Sequence, residues 1–244
     1  GISAAIGLGW RFGLIYAVLL LIGLYALNRH VKLPAVKKRD HGDPTPNKRL
    51  PAAYWAYFVV IVFGVAIEWC MVFWGADYLH TVVGFETATA ATLMTMHGVA
   101  MIMGRFIGSR LTRRYNSVHL LYGAYLLVGV GFPLFWLVDS IPLTLVGLFI
   151  TGTGVANLFP LTLALSCNID RELADAASAR ASLGGGIAIL AAPQILGTAA
   201  DQFGLQAAFG LVPILLVVIV IAAIIANNLT KKHVQRQLRY ASGA

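Results

Sequence analysis

Apolar runs of about 20 residues recur from one end of this chain to the other. Each is long enough, at ~1.5 Å per helical residue, to cross a hydrocarbon layer ~30 Å thick. No water reaches backbone N–H and C=O groups at that depth, so the runs must be helical. Alternating strands of about ten residues are absent, which argues against an outer-membrane barrel. Composition agrees: of 244 residues, 59% are hydrophobic and 11% charged, where soluble domains carry roughly 25% charged residues. The expectation is an all-α integral membrane protein, a polytopic bundle of about seven transmembrane helices.

The predicted spans are Ile6–Leu27, Ala53–Leu79, Ala88–Gly108, Val118–Val138, Pro142–Ser166, Ala177–Ala200 and Gln206–Leu229. One connection is long. Residues 29–52 carry Pro34, Pro44, Pro46 and Pro51 together with Lys37, Lys38, Arg39 and Asp40, a composition that suits a solvated linker. The formal net charge of +8 does not point to nucleic acid, because the cations form no basic stripe with interleaved aromatics. They concentrate instead in alternate connections. The linker holds Arg29, Lys32, Lys37, Lys38, Arg39, Lys48 and Arg49, and the loop after the third span holds Arg110, Arg113 and Arg114. Arg171 and Arg180 precede the sixth span, and Lys231, Lys232, Arg236 and Arg239 follow the seventh. The loops at residues 80–87, 139–140 and 201–205 have no Lys or Arg. By the positive-inside rule the linker and the C-terminal tail, residues 230–244, are cytoplasmic. The sixth span is rich in Ala and Gly and should pack within the bundle, since small residues let helix backbones approach closely.

Polar residues at bilayer depth are the candidate functional groups. Glu68 lies near the middle of the second span, where a carboxylate costs a few kcal/mol and usually serves a solute or proton pathway. A proton carrier or a solute ligand is the functional expectation, a structurally paired carboxyl the bland one. His97 lies at similar depth on the antiparallel third span and could exchange a proton with Glu68, or else hydrogen-bond a neighbouring helix. Arg105 follows at i+8 on the same face and is expected to snorkel to the interface. Gly104 and Gly108 form a Gly-x-x-x-Gly packing pair. Trp69, at midplane, is a candidate to stack on a solute, whereas Tyr78 suits an interfacial belt. Asn157 and Gln194 are amides able to bind a solute or bridge helices. Pro160 and Pro193 can kink their helices in a gate or in passive bundle geometry. Cys70 and Cys167 suggest neither a disulfide framework nor a metal site. No nucleotide-binding loop or nucleophile–base spacing is present, so no enzyme and no cofactor are expected. A retinal-type receptor needs a Lys within the bundle, and no span contains one.

Two stretches carry a family resemblance. Gly104-Arg105-Phe106-Ile107-Gly108-Ser109-Arg110-Leu111-Thr112-Arg113-Arg114 resembles the loop between the eighth and ninth helices of the major facilitator superfamily, although its Asp and second Gly are missing. Pro193-Gln194-Ile195-Leu196-Gly197, followed by Ala200-Asp201-Gln202-Phe203-Gly204 and Ala208-Phe209, is similar to that family's eleventh helix and the approach to its twelfth. The spans then resemble the sixth through twelfth family helices. Residues 1–28 would be the last helix of an N-terminal bundle, 29–52 the cytoplasmic linker, 53–229 the C-terminal six-helix bundle and 230–244 the tail. A start at Gly1, without an initiator Met, is expected of a truncated or processed N-terminus. The resemblance implies alternating access around a midplane site, in a bacterial inner membrane, with the missing N-terminal bundle, the bilayer, a small-molecule solute and a coupling ion as partners. With Glu68 it implies proton-coupled symport of a small organic solute. An efflux or exchange transporter of the same fold is the close alternative, and a non-transporting receptor or structural subunit the distant one.

Overall fold

A computed structural model describes residues 10–29 and 49–242. Most of the expected linker, and the readings placed on residues 1–9, lie outside the described residues. The chain divides into two units, Gly1–Arg49 and Leu50–Ala244. In the first, α1 (Trp10–Asn28) is a helix of 19 residues with Leu, Ile, Val and Tyr on every side.

The second unit is built from α2 (Ala52–Thr81), α3 (Thr87–Leu111), α4 (Ser117–Leu137), α5 (Ile141–Val155), α6 (Leu158–Cys167), a 3₁₀ turn (Arg171–Leu173), α7 (Ala174–Phe203), the short α8 (Leu205–Ala208) and α9 (Leu211–Ser242). Six stretches among the described residues are long and apolar enough to cross a membrane, with α5–α6 and α8–α9 each making one. They match the second through seventh expected spans to within a few residues. Two differences stand out. The fifth span is not continuous: its helix stops at Val155 and restarts at Leu158, and Ala156, four residues before Pro160, is the residue whose carbonyl the proline crowds and cannot bond. The seventh helix does not end near Leu229 but runs on to Ser242, so the expected tail is largely helix.

The core forms where α2 crosses the bundle. Val60, Ile67, Met71 and Leu79 of α2 pack with Val128 and Phe132 of α4, Leu148 and Val155 of α5, Leu196 of α7 and Ile219 of α9. Between α4 and α5 the backbones nearly touch. A Cβ on Gly131 would lie 2.6 Å from the Thr151 nitrogen, and one on Gly147 would lie 2.7 Å from the Gly131 oxygen. Small residues make this approach possible where lipid supplies no hydrophobic drive. The Ala/Gly-rich α7 is likewise packed, as expected: a Cβ at Gly184 would lie 2.6 Å from the Phe58 ring and one at Gly197 2.6 Å from Trp74.

One end of the unit is closed by aromatics. The Tyr78 ring lies 4.9 Å from both Phe135 and Phe209. Its hydroxyl donates to the Trp136 carbonyl at 2.6 Å, and Trp136 Nε1 donates to the Gln206 carbonyl at 2.7 Å. Tyr78 is 2% exposed, so it is a buried clasp and not the interfacial belt residue expected from its place near a span end. The turns here are short, and Gly204 takes φ +81° between α7 and α8, a conformation that favours glycine.

Candidate functional site

Glu68 meets Arg105. The Arg105 guanidinium donates from Nη2 to Glu68 Oε1 at 3.2 Å, across the contact between α2 and α3. The carboxylate is deeply set, with a side chain 12% exposed, whereas the Arg105 side chain is 57% exposed. Arg105 therefore turns toward Glu68. The reason is geometric: Cα–Cβ bonds tilt toward a helix's own N-terminus. In the antiparallel pair α2–α3, Arg105 sits near the end of α3 and leans back along it, while Glu68 leans back along α2 toward that same level. The two side chains converge. An opposite charge offsets part of the ~2.5–3.5 kcal/mol that an isolated central charge costs on insertion scales.

The pair borders a cavity of about 350 Å³, lined by Val65, Glu68 and Trp69 of α2, Arg105 of α3, Phe159 of α6, and Ser182, Gly185, Gly186 and Ile189 of α7. Trp69 is half-buried and leans on Phe73, with ring centroids 5.7 Å apart. Gly185 is near enough to Phe159 that a Cβ there would rest at 3.7 Å from its ring. A second cavity of about 710 Å³ adjoins the first, since both are lined by Arg105 and Phe159. Its walls add Ser109, Thr112, Ser117, Asn157 and Pro160.

His97 goes elsewhere. It is 2% exposed, and its Nδ1 donates to the Leu148 carbonyl of α5 at 3.4 Å. The absence of a side chain on Gly152 makes room for it: a Cβ there would lie 2.9 Å from Nδ1. The exchanging Glu68–His97 pair is thus not formed; Arg105 is the partner of Glu68, and His97 bridges α3 to α5. Its Nε2 has no hydrogen-bond partner among the described residues.

Asn157 occupies the break between α5 and α6. Its Nδ2 donates to the Gly104 carbonyl at 3.0 Å and to the Thr153 carbonyl at 3.2 Å. Gly104 and Gly108 both lie against α5 and the break that follows it. A Cβ on Gly104 would fall 2.6 Å from the Thr153 oxygen, and one on Gly108 2.8 Å from Asn157 Cγ. Asn157 bridges helices and also faces the larger cavity. Gln194 is exposed on α7 and lines neither cavity. Pro193 is buried inside a helix that continues through it, and its carbonyl accepts from Trp74 Nε1 at 2.8 Å. Pro160 is exposed in the first turn of α6.

Sequence reasoning missed Phe159 and Ser182. Phe159 sits in an apolar stretch with nothing to distinguish it. Ser182 carried a weak signal, being a hydroxyl within the small-residue helix.

Comparison with known proteins places this arrangement. The family model described as Major Facilitator Superfamily matches residues 1–193. The chain is 28% identical over 209 residues to an uncharacterised MFS-type transporter of Yersinia pestis, covering 84% of this chain and 53% of that protein. It thus spans about half the length of that relative. The Escherichia coli fucose:proton symporter FucP is similar in fold, with a TM-score of 0.67 at 20% identity, covering 89% of this chain and 54% of FucP. The POT family transporter PepTSo superposes with a TM-score of 0.67 at 15% identity, covering 74% of this chain and 38% of its own. At such identities the two structures speak for the fold alone. Seven apolar segments, a six-helix unit and a match over most of the sequence agree: this chain is an integral membrane protein that belongs to the Major Facilitator Superfamily.

Proposed function

We propose that the protein of which this chain is part carries a small organic solute across the membrane by alternating access, coupled to protons through Glu68. One observation carries the reading: a carboxylate deep in the bundle, paired at 3.2 Å with an Arg and bordering a cavity. Intramembrane ionisable residues of this kind mark ion and solute paths. A bare carboxylate in such a place is costly, so any event that pulls Arg105 away favours a proton on Glu68. Restoring the pair favours its release. This is the two-state linkage that coupling requires.

In this reading the face bearing the two cavities is completed by a second bundle of the same protein, and the solute sits between them. Trp69 and Phe159 supply apolar surface, and Asn157 and Ser182 supply polar contacts. Gln194 lines neither of these cavities and is given no solute contact in this reading. His97 is assigned to holding α3 on α5. In this reading the loop after α3, the linker and the end of α9 face the cytoplasm, which their Lys and Arg support. FucP, a fold neighbour, is a fucose:proton symporter, which supports this mode of coupling. Export or exchange would use the same pair with the gradients reversed.

The test uses the full-length protein in vesicles loaded with a pH-sensitive dye. A transported solute added outside should drive proton entry, and Glu68→Gln should abolish that signal and the uptake driven by an imposed pH gradient. Unchanged pH-driven uptake in Glu68→Gln would remove Glu68 from the coupling role.

A further inference from the structure

We propose that the cavity beside Glu68 and Arg105 takes a monoanionic organic acid, whose carboxylate docks on the Arg105 guanidinium in the place that Glu68 occupies in this structure. The inference rests on the transport reading above and adds the chemical class of the solute.

The guanidinium carries five N–H donors in a planar fork suited to two parallel bonds with a carboxylate. Glu68 takes one of them through a single oxygen. The rest of the fork is open, since the Arg105 side chain is 57% exposed while that of Glu68 is 12% exposed. The cation meets the adjoining space more fully than the carboxylate does. The larger cavity confirms the asymmetry: Arg105 lines it and Glu68 does not, and its polar walls are the hydroxyls of Ser109, Thr112 and Ser117 with the Asn157 amide. Phe159, Pro160 and Leu161 give the same space an apolar side. A volume of about 710 Å³ lies in the usual range for small-molecule sites. The open N–H donors of Arg105 and the apolar wall suit an acid with a hydrocarbon or aromatic body.

Charge conservation selects the sign of the ligand. The pair is neutral as it stands. A carboxylate bound to Arg105 frees Glu68, and one proton from the open aqueous side onto Glu68 Oε1 restores neutrality while the guanidinium stays protonated. No covalent bond to carbon forms or breaks. A bound cation would leave an uncompensated positive charge, and a neutral solute would offer Arg105 no counter-ion to replace Glu68. Around Glu68 the lining from α3 is Arg105, that from α6 is Phe159, and that from α7 is Ser182, Gly185, Gly186 and Ile189. Among the described residues no further titratable group lines this cavity.

The experiment is ligand-induced thermal stabilisation of the purified full-length protein at fixed ionic strength. The probes are benzoate, phenylacetate, lactate and pyruvate, against benzamide, lactamide and benzylamine. At least one acid should raise the melting temperature while its amide and the amine do not. Arg105→Gln should weaken that acid about tenfold or more, as expected for loss of a charge-assisted contact. Glu68→Gln, which removes the competitor, should bind it more tightly and with less dependence on pH. Because Arg105→Gln strands Glu68, the double variant Glu68→Gln/Arg105→Gln serves as the folded control and should still fail to bind. Stabilisation by the amide or amine equal to that by the acid, an acid response surviving the loss of Arg105, or no response to any acid would each overturn the proposal. Failure of proton coupling reads differently: acid binding would still need Arg105, but uptake would ignore the pH gradient.

Discussion

At the scale of single residues, depth is written in the sequence and rotation is not. Glu68 and His97 could be placed near mid-membrane by counting along their helices, but which neighbour each faces depends on how α2 and α3 turn. The backward lean of helical side chains is the signal that favours Arg105 for Glu68, and it follows from helix direction alone. For His97 no such signal exists, because its partner is a backbone carbonyl, Leu148 O, which carries no residue signature. Asn157 shows how one amide ties two helices. Asn157→Leu removes its bonds to Gly104 O and Thr153 O, and should destabilise the protein by about 1 kcal/mol, read as a lower melting temperature in detergent. Retention of the full melting temperature would show that the amide does not brace this junction.

Elements obey the same division between length and contact. The ends of most spans follow from where apolar runs stop, but the interruption at Ala156–Asn157 does not show in hydropathy, since both halves are equally apolar. Pro160, lacking an N–H for the carbonyl four residues before it, is its physical cause. Pro160→Ala should let α5 and α6 join, so amide hydrogen exchange across residues 156–160 should slow and turnover should fall. Unaltered exchange there would assign the break to Asn157 instead. Glycines give a sharper comparison. Gly147→Ala places a Cβ 2.7 Å from the Gly131 oxygen, whereas Gly123→Ala meets nothing within 4 Å. The first substitution should cost about 1–3 kcal/mol through overpacking and the second a few tenths at most, both measurable as shifts in thermal unfolding. Equal shifts would mean that α4 and α5 yield freely.

For the molecule as a whole, the alternation of Lys and Arg between connections laid out the order of crossings, and the six membrane-length helices among the described residues agree with it. Its sidedness is open to direct labelling. With Cys70 and Cys167 replaced, Ser140→Cys should react with an impermeant maleimide in intact cells, and Arg113→Cys only after the membrane is opened. The reverse pattern would invert the assigned topology. How the six helices share their neighbours was not legible, because hydropathy is blind to direction around an axis, and the small residues that set close approaches mark only that something must come near. The length of α9 has a practical side. Its 32 residues make a rod of ~48 Å, against a hydrocarbon layer of ~30 Å, so roughly a dozen residues stand clear of the oily layer as a stiff mast. A spin label at Gln235 would ride on that mast and report its tilt rather than the wandering of a loose tether.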